Sequence, residues 1–444
     1  MSILISDPDL KEQVCAYVDR QAPRLIQIIQ DLVRIPSENM PPFGAESACQ
    51  QYLARALSNL GLEPDLYSLD EVPGLSVHPL YFAGRNYTNR PNLVARKAGA
   101  GVGRSLLLSG HIDTVPRGSE SWTREPFGAE VQGNRLFGRG ANDMKGGIAT
   151  NLFVLEALSE LNVSLAGDLI FESVIDEEFG GSNGTLAGRL RGFNADAAII
   201  SEPSFLRVCP AQRGGRTAHI LLQAAGGVLH EGKLGTGIVE QLSFFLEKLK
   251  AFAEQRRSRV RMHELYRHHV DPVPVNVTKI ITSPWGTSEP ITIPERCQIE
   301  LYWQTMPGET QAEVEAEFFA WLDSLVNQPN SPFSERPDVT FPIRWLPASA
   351  ISKDAPLVSE LAACAAAISG EAAPIVGIEG PCDLYVFQQG FGIPAVLWGA
   401  KGANTHGSDE YLEIDSVIQA AKTLLLFICV WGGLQSRGPD AVWP

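Results

Sequence analysis

Leu10, Val14, Val18, Leu25, Ile28 and Leu32 recur at helical spacing and predict a helix over 8–34, which the prolines of RIPSENMPPFG bring to an end. A second helix is expected over 46–60. From 93 to 200 the pattern changes to short apolar runs that alternate with helical stretches. SLLLSG (105–110) is continuously apolar, as a strand buried on both faces requires. GGIATNLFVLEALSEL (146–161) has the spacing of a helix, and DLIFESVID (168–176) and DAAIISEP (196–203) read as further strands. Strand, helix, strand at this spacing predicts an α/β fold with a mixed, mostly parallel sheet flanked by helices.

After Arg213 the texture changes. A strand in TAHILLQAAGG, a helix over 236–255, strands at 273–282 and 297–305, a helix over 310–326 and a strand in VTFPIRW (339–345) give the order β-α-β-β-α-β. That is the order of a ferredoxin-like α+β module. From 348 the α/β pattern resumes, with a helix over 355–369, a strand at 393–399 and a closing helix over 415–431. The expected organisation is one α/β domain, 1–212 and 348–444, interrupted by an inserted module, 213–347. Long loops are expected at 36–45, 66–92 and 327–338.

Bulk properties narrow the function. A length of 444 residues suits about two domains. The net charge of −15 argues against nucleic acid and anionic membrane as partners. Seven scattered cysteines without a C-x-x-C pair argue against a disulfide scaffold, a zinc ribbon or a dithiol redox site. The first residues turn acidic within seven positions, unlike a signal peptide, and TLLLFICVWGG is too short to span a bilayer. These features point to a reducing, cytoplasmic setting.

The chemistry concentrates at the ends of the apolar runs, where ligands bind on open α/β sheets. LLLSGHIDTVP delivers His111 and Asp113, GRGANDMKGG delivers Asp143, VIDEEFGG delivers Glu177 and Glu178, IISEPS delivers Glu202, and NTHGSDEY delivers His406. Asp176, Glu177 and Glu178 are adjacent, and no Lys or Arg lies between Asp168 and Arg189. Crowded buried carboxylates are costly without a positive partner. Imidazole and carboxylate together suit two divalent metals, zinc above all, with cobalt or manganese as alternatives. One carboxylate can bridge such a pair. Asp113, two residues past His111 on extended chain, can accept that histidine's other ring N–H. Of the doubled glutamate, one can bind metal while its neighbour handles protons.

SGHIDTVP, FGRGANDMKGG, DEEFGG, SEP and HGSDEY, in this order, resemble the acetylornithine deacetylase / succinyl-diaminopimelate desuccinylase family of metallo-amidohydrolases and peptidases. LVRIPSEN, RPNLVAR and DLYVFQQGFGIPAVLWG are also similar to it. The resemblance implies a dinuclear-zinc hydrolase with a catalytic α/β domain and an inserted lid that makes a homodimer. It implies that His111, Asp143 and Glu202 hold one metal, and that Asp143, Glu178 and His406 hold the other with Asp143 bridging. Glu177 would be the general base and acid for attack by metal-bound hydroxide on a linear amide, and Asp113 would orient His111. His230 in the lid and Asn276 in PVNVTKI would contact a small-molecule substrate.

One departure bears on that substrate. The family commonly has an arginine, in an R-x-x-P arrangement, that binds the substrate carboxylate. LYWQTMPGET places Gln304 there, and an amide cannot make the charge-assisted bidentate pair. Either the substrate lacks a free α-carboxylate, or another cation (Lys401, Arg213 or Arg216) binds it. Deacylase is the preferred reading over dipeptidase or carboxypeptidase. A non-catalytic relative is disfavoured by the intact ligand set and Glu177. AGAGVGRS precedes a strand instead of opening a helix, against a dinucleotide loop. RMHELYRHHVDP (261–272) reads as an exposed lid face, and Cys382 has no local histidine to make it a nucleophile.

Overall fold

The computed structural model describes residues 8–224, 237–282 and 294–434. The chain divides into two compact units. One comprises Met1–Ala211, Ala350–Ile378 and Cys382–Pro444, and the other Gln212–Ser349 and Glu379–Pro381.

The first unit is built on a mixed sheet. Its strands run in the order Asp65–Ser68, Pro91–Lys97, Leu169–Val174, Leu106–His111, Ala197–Ile200, Ala395–Leu397 and Val208–Gln212. The four from Leu169–Val174 to Ala395–Leu397 are parallel, and the flanking pairings are antiparallel. Leu108 lies in register between Phe171 and Ile199, and all three are fully buried. Burial on both faces is why these runs carry no polar alternation. Helix Gly146–Glu160 is apolar nearly all round and packs against Pro8–Arg34 and Ile414–Gly432.

Two sequence expectations are corrected here, and one strand is added. Helix Ile414–Gly432 is long and apolar enough to cross a membrane by length and composition, whereas TLLLFICVWGG alone is too short. Its apolarity is matched by burial in this unit, at 72% of its most apolar window. Asp65–Ser68 is an edge strand inside a stretch read as loop, because four residues are too few to show a period. Val208–Gln212 is a strand the sequence reading did not assign; it carries Pro210, which has no N–H to donate, and pairs through Cys209 with Leu397.

The second unit has the strand order Val275–Ile281, Arg296–Thr305, Gly214–Gln223, Asp338–Thr340, all antiparallel. Helices Ile238–Arg259 and Gln311–Val326 supply its core with Phe252, Phe318 and Trp321, which pack with Trp303 of the sheet. Thr310 and Glu313 form a reciprocal cap at the start of the second helix. The last strand stops at Thr340, short of the expected 345, because Pro342 has no N–H to donate.

In the first unit a buried ion pair ties Arg189 to Glu172 at 2.6 Å, with both side chains fully buried. Glu172 also accepts from Ser109 of the neighbouring strand. Arg189→Met leaves that carboxylate without its cation, and we expect a loss of about 3–5 kcal/mol in equilibrium urea unfolding. A change under about 1 kcal/mol would show that Glu172 is held by its neutral hydrogen bonds alone.

Candidate metal centre

Three adjacent parallel strands end at one edge of the sheet, and each hands over a polar side chain there. His111 ends Leu106–His111, Glu177 and Glu178 follow Leu169–Val174, and Glu202 follows Ala197–Ile200. His406 follows Ala395–Leu397, the fourth parallel strand. Asp143 comes from the turn that opens helix Gly146–Glu160, after Gly140 in left-handed conformation at φ 79°. Side chains spread over nearly three hundred residues meet because parallel strands place all their carboxyl ends on one edge.

Asp143 is central to the geometry. Its Oδ1 lies 3.0 Å from His111 Nε2, and its Oδ2 lies 3.3 Å from His406 Nε2. His111 Nε2 is also 3.4 Å from Glu202 Oε1 and 4.0 Å from Glu177 Oε2. His406 Nε2 is 3.2 Å from Glu178 Oε2. Two groups of donors therefore share one carboxylate through different oxygens. Side chains close enough to hold a metal include His111 with Glu177 and Glu202, and His111 with Asp143 and Glu178. The His-rich stretch 261–272 supplies none.

The electrostatics express a shortage of positive charge. Burial raises Glu202 to about 7, with Asp143 adding to the effect, and burial likewise raises Glu178. Burial and the charges of Asp383 and Glu202 push Glu177 well above its ordinary value, against the pull of His111. Burial would lower both histidines. Glu202 and Asp143 instead raise His111 well above its ordinary value, and Asp143 and Glu178 raise His406 to about 11. Among the described residues, these carboxylates have only the two histidines within ion-pair distance. A donor set of two imidazoles and four carboxylates, with one carboxylate divided between two groups, fits a pair of divalent ions.

The structure gives Asp113 a different contact from the one expected. His111 Nδ1 lies 2.8 Å from the main-chain oxygen of Asp113, while the Asp113 carboxylate stands 3.7 Å away. A carbonyl only accepts, so Nδ1 carries the proton and Nε2 faces Asp143 and Glu202. The Asp113 carboxylate instead accepts the backbone N–H groups of Glu177 at 3.3 Å and Glu178 at 3.1 Å. Asn39, which the sequence did not single out, donates to the same carboxylate at 2.8 Å. Asp383 is a further buried carboxylate that sequence reasoning passed over, held by Thr185. Cys382 is driven well up by burial and by Glu202, so it stays a thiol.

The residues expected to touch substrate fall in the second unit. His230 lies outside the described residues. Asn276 is exposed on the edge strand Val275–Ile281, opposite Tyr302. Gln304 has both ends of its amide engaged: Oε1 accepts from Arg213 at 2.7 Å, and Nε2 donates to the Glu379 carbonyl at 2.6 Å.

A family model described as Peptidase family M20/M25/M40 matches residues 107–429, more than half of the chain. The chain belongs to this family. It is accordingly a metal-dependent hydrolase acting on amide bonds. It is 28% identical to an N-formyl-4-amino-5-aminomethyl-2-methylpyrimidine deformylase of Halalkalibacterium halodurans, over 95% of this chain and 97% of that one. It is 26% identical to an acetylornithine deacetylase of Edwardsiella ictaluri, over 92% and 97%. The fold is shared with human carnosine dipeptidase 1, at a TM-score of 0.71 and 17% identity over 95% of this chain and 100% of that one. It is also shared with the Bacillus subtilis YXEP protein, a dinuclear metal-binding peptidase, at a TM-score of 0.57 and 16% identity over 93% and 99%.

The Asp113 carboxylate holds the turn that presents Glu177 and Glu178 without touching either side chain. Asp113→Ala is expected to lower kcat or metal affinity by roughly 10–100-fold while the protein stays folded. Steady-state kinetics at saturating zinc, alongside circular dichroism, measures this. Wild-type kinetics and wild-type zinc affinity would show that the turn holds its shape without the carboxylate.

Proposed function

We propose that the protein is a dinuclear-metal deacylase that cleaves the linear amide of a small N-acylated amine lacking a free α-carboxylate. The sharing of Asp143 between His111 and His406 is the observation that carries the metal part of this reading. His111, Glu202 and Asp143 would hold one ion, and Asp143, Glu178 and His406 the other, with zinc as the resident metal. Bound there, the pair would polarise the scissile carbonyl and lower the pKa of water at the site.

The chain's own groups supply the rest. Glu177 Oε2 lies 4.0 Å from His111 Nε2, inside the cluster but farther from that histidine than Asp143 or Glu202. From there it takes a proton from water and returns it to the leaving nitrogen. Asp113 fixes the backbone that carries it.

Two observations support the substrate class. The motif LYWQTMPGET puts Gln304 where the resemblance expects a carboxylate-binding arginine, and the Gln304 amide is held at both ends. The Halalkalibacterium relative, aligned over nearly its whole length, is named for deformylation of an aminomethylpyrimidine, an amine whose name contains no carboxylate. We therefore take an N-formylated or short-acyl heteroaromatic aminomethyl compound as the first substrate to try. Seven free cysteines support a reducing, cytoplasmic setting. An edge strand that exposes Ile280 and Ile281 supports a homodimer through the inserted unit.

The test is a paired panel with zinc-loaded protein. Each N-acyl amino acid is matched with an uncharged analogue, and N-formylaminomethylpyrimidine is included. We expect kcat/KM to favour the uncharged members by about 10-fold or more, the worth of a missing charge-assisted hydrogen bond. Glu177→Ala should lose roughly 10²–10⁴ in kcat with metal content unchanged. Preference for the free acids would overturn the substrate reading and leave the hydrolase. Full activity in Glu177→Ala would overturn the role of Glu177.

A further inference from the structure

Glu410 lies four residues past His406, is 1% exposed, and spends its carboxylate on the turn that carries Asp143. Its Oε2 accepts from Arg139 at 2.6 Å and from the Gly140 N–H at 3.1 Å. Its Oε1 accepts from the Asn142 and Asp143 N–H groups, each at 3.0 Å. Converging backbone N–H groups in such a turn form an anion-binding concavity, and here the anion is a side chain.

The turn is tied to the His406 loop by two further bonds. Arg139, itself 1% exposed, donates its other arm to the His406 carbonyl at 3.1 Å. Asn142 Nδ2 donates to Thr405 Oγ1 at 2.8 Å. His406 itself has φ 66°, a left-handed conformation that non-glycine residues adopt only when held.

We propose that Glu410, with Arg139, is a positioning residue that sets the occupancy of one half of the metal centre, the Asp143–Glu178–His406 half. The inference rests on the metal-hydrolase reading above. Two of the three donors in that half, Asp143 and His406, sit on the segments this clamp joins. The other half draws His111 and Glu202 from neighbouring parallel strands whose register is fixed by the sheet, with the Ser201 N–H donating to the Ser109 carbonyl at 3.1 Å. That half depends on the clamp only through Asp143. Loss of the clamp should empty the two halves unequally.

The experiment is zinc titration of chelator-stripped protein against a chromophoric competitor, with bound metal counted by elemental analysis. It compares wild type, Glu410→Gln, Arg139→Lys and Thr405→Val. Wild type should bind two equivalents. Glu410→Gln places an amide N–H among donors, so it should keep one tight equivalent and bind the second roughly 10–100-fold more weakly. Arg139→Lys and Thr405→Val should weaken the same equivalent less. The visible spectrum of cobalt-loaded Glu410→Gln should match that of wild type carrying one equivalent.

Thr405 is exposed, so its variant folds even if Glu410→Gln does not, and it then decides the matter. Wild-type affinity for both equivalents in the folded variants would overturn the proposal. So would equal weakening of both, which marks a general structural role. Wild type binding fewer than two equivalents would defeat the metal reading itself and this proposal with it.

Discussion

The cluster at the carboxyl ends of the parallel strands depends on the division of one carboxylate between two histidines. Asp143 turns one oxygen to His111 and the other to His406, and Glu178 and Glu202 close in from either side. In a buried setting, four carboxylates cannot all keep their charge against two imidazoles. The raised values of Glu178 and Glu202, and of both histidines, are the response of such a cluster when protons are the only positive charge on offer. Divalent cations relieve the same conflict by displacing those protons. Metal binding is in this sense written into the repulsion among the side chains, before any particular ion is named.

That repulsion has to be restrained by the backbone, and the restraint is built from more buried carboxylates. Asp113 caps the N–H groups of Glu177 and Glu178, and Glu410 caps those of Asn142 and Asp143. Each fixes the main chain of a ligand-bearing turn without competing for the site. The turns themselves are tight: Asp176, Phe179, Ser182 and His406 all have positive φ. Conformations of this kind persist only when neighbouring bonds over-determine them. The parallel strands supply the rest of the rigidity, since the register of Leu106–His111 with its two neighbours places His111 and Glu202 by main-chain bonding alone.

The convergence of these side chains was legible in the sequence because each stands within a few residues of the end of an apolar run or at the mouth of a helix, where the topology of a parallel sheet gathers side chains. The inserted unit was legible because its strand and helix periods change cleanly after Arg213. What failed to show is what depends on contacts distant in the chain. The Asp113 carboxylate could serve the ring of His111 or the backbone of Glu177 and Glu178, and only the folded turn chooses. Glu410 sits in the same motif as His406, but its partners lie some 270 positions earlier. Short or proline-containing strands such as Asp65–Ser68 and Val208–Gln212 carry too little pattern to announce themselves.

Gln304 is likewise held by more than one neighbour. Arg213 stacks its guanidinium over Tyr266 at 5.1 Å, donates one arm to the Asp271 carbonyl and the other to Gln304. A guanidinium at 304 would set two like charges against each other at that spot, at a cost that low-dielectric surroundings increase. Glutamine offers Arg213 an acceptor and the Glu379 carbonyl a donor at once. Residues 213 and 304 thus form a matched pair within the inserted unit. The Gln304 amide is thereby fixed by its neighbours within that unit.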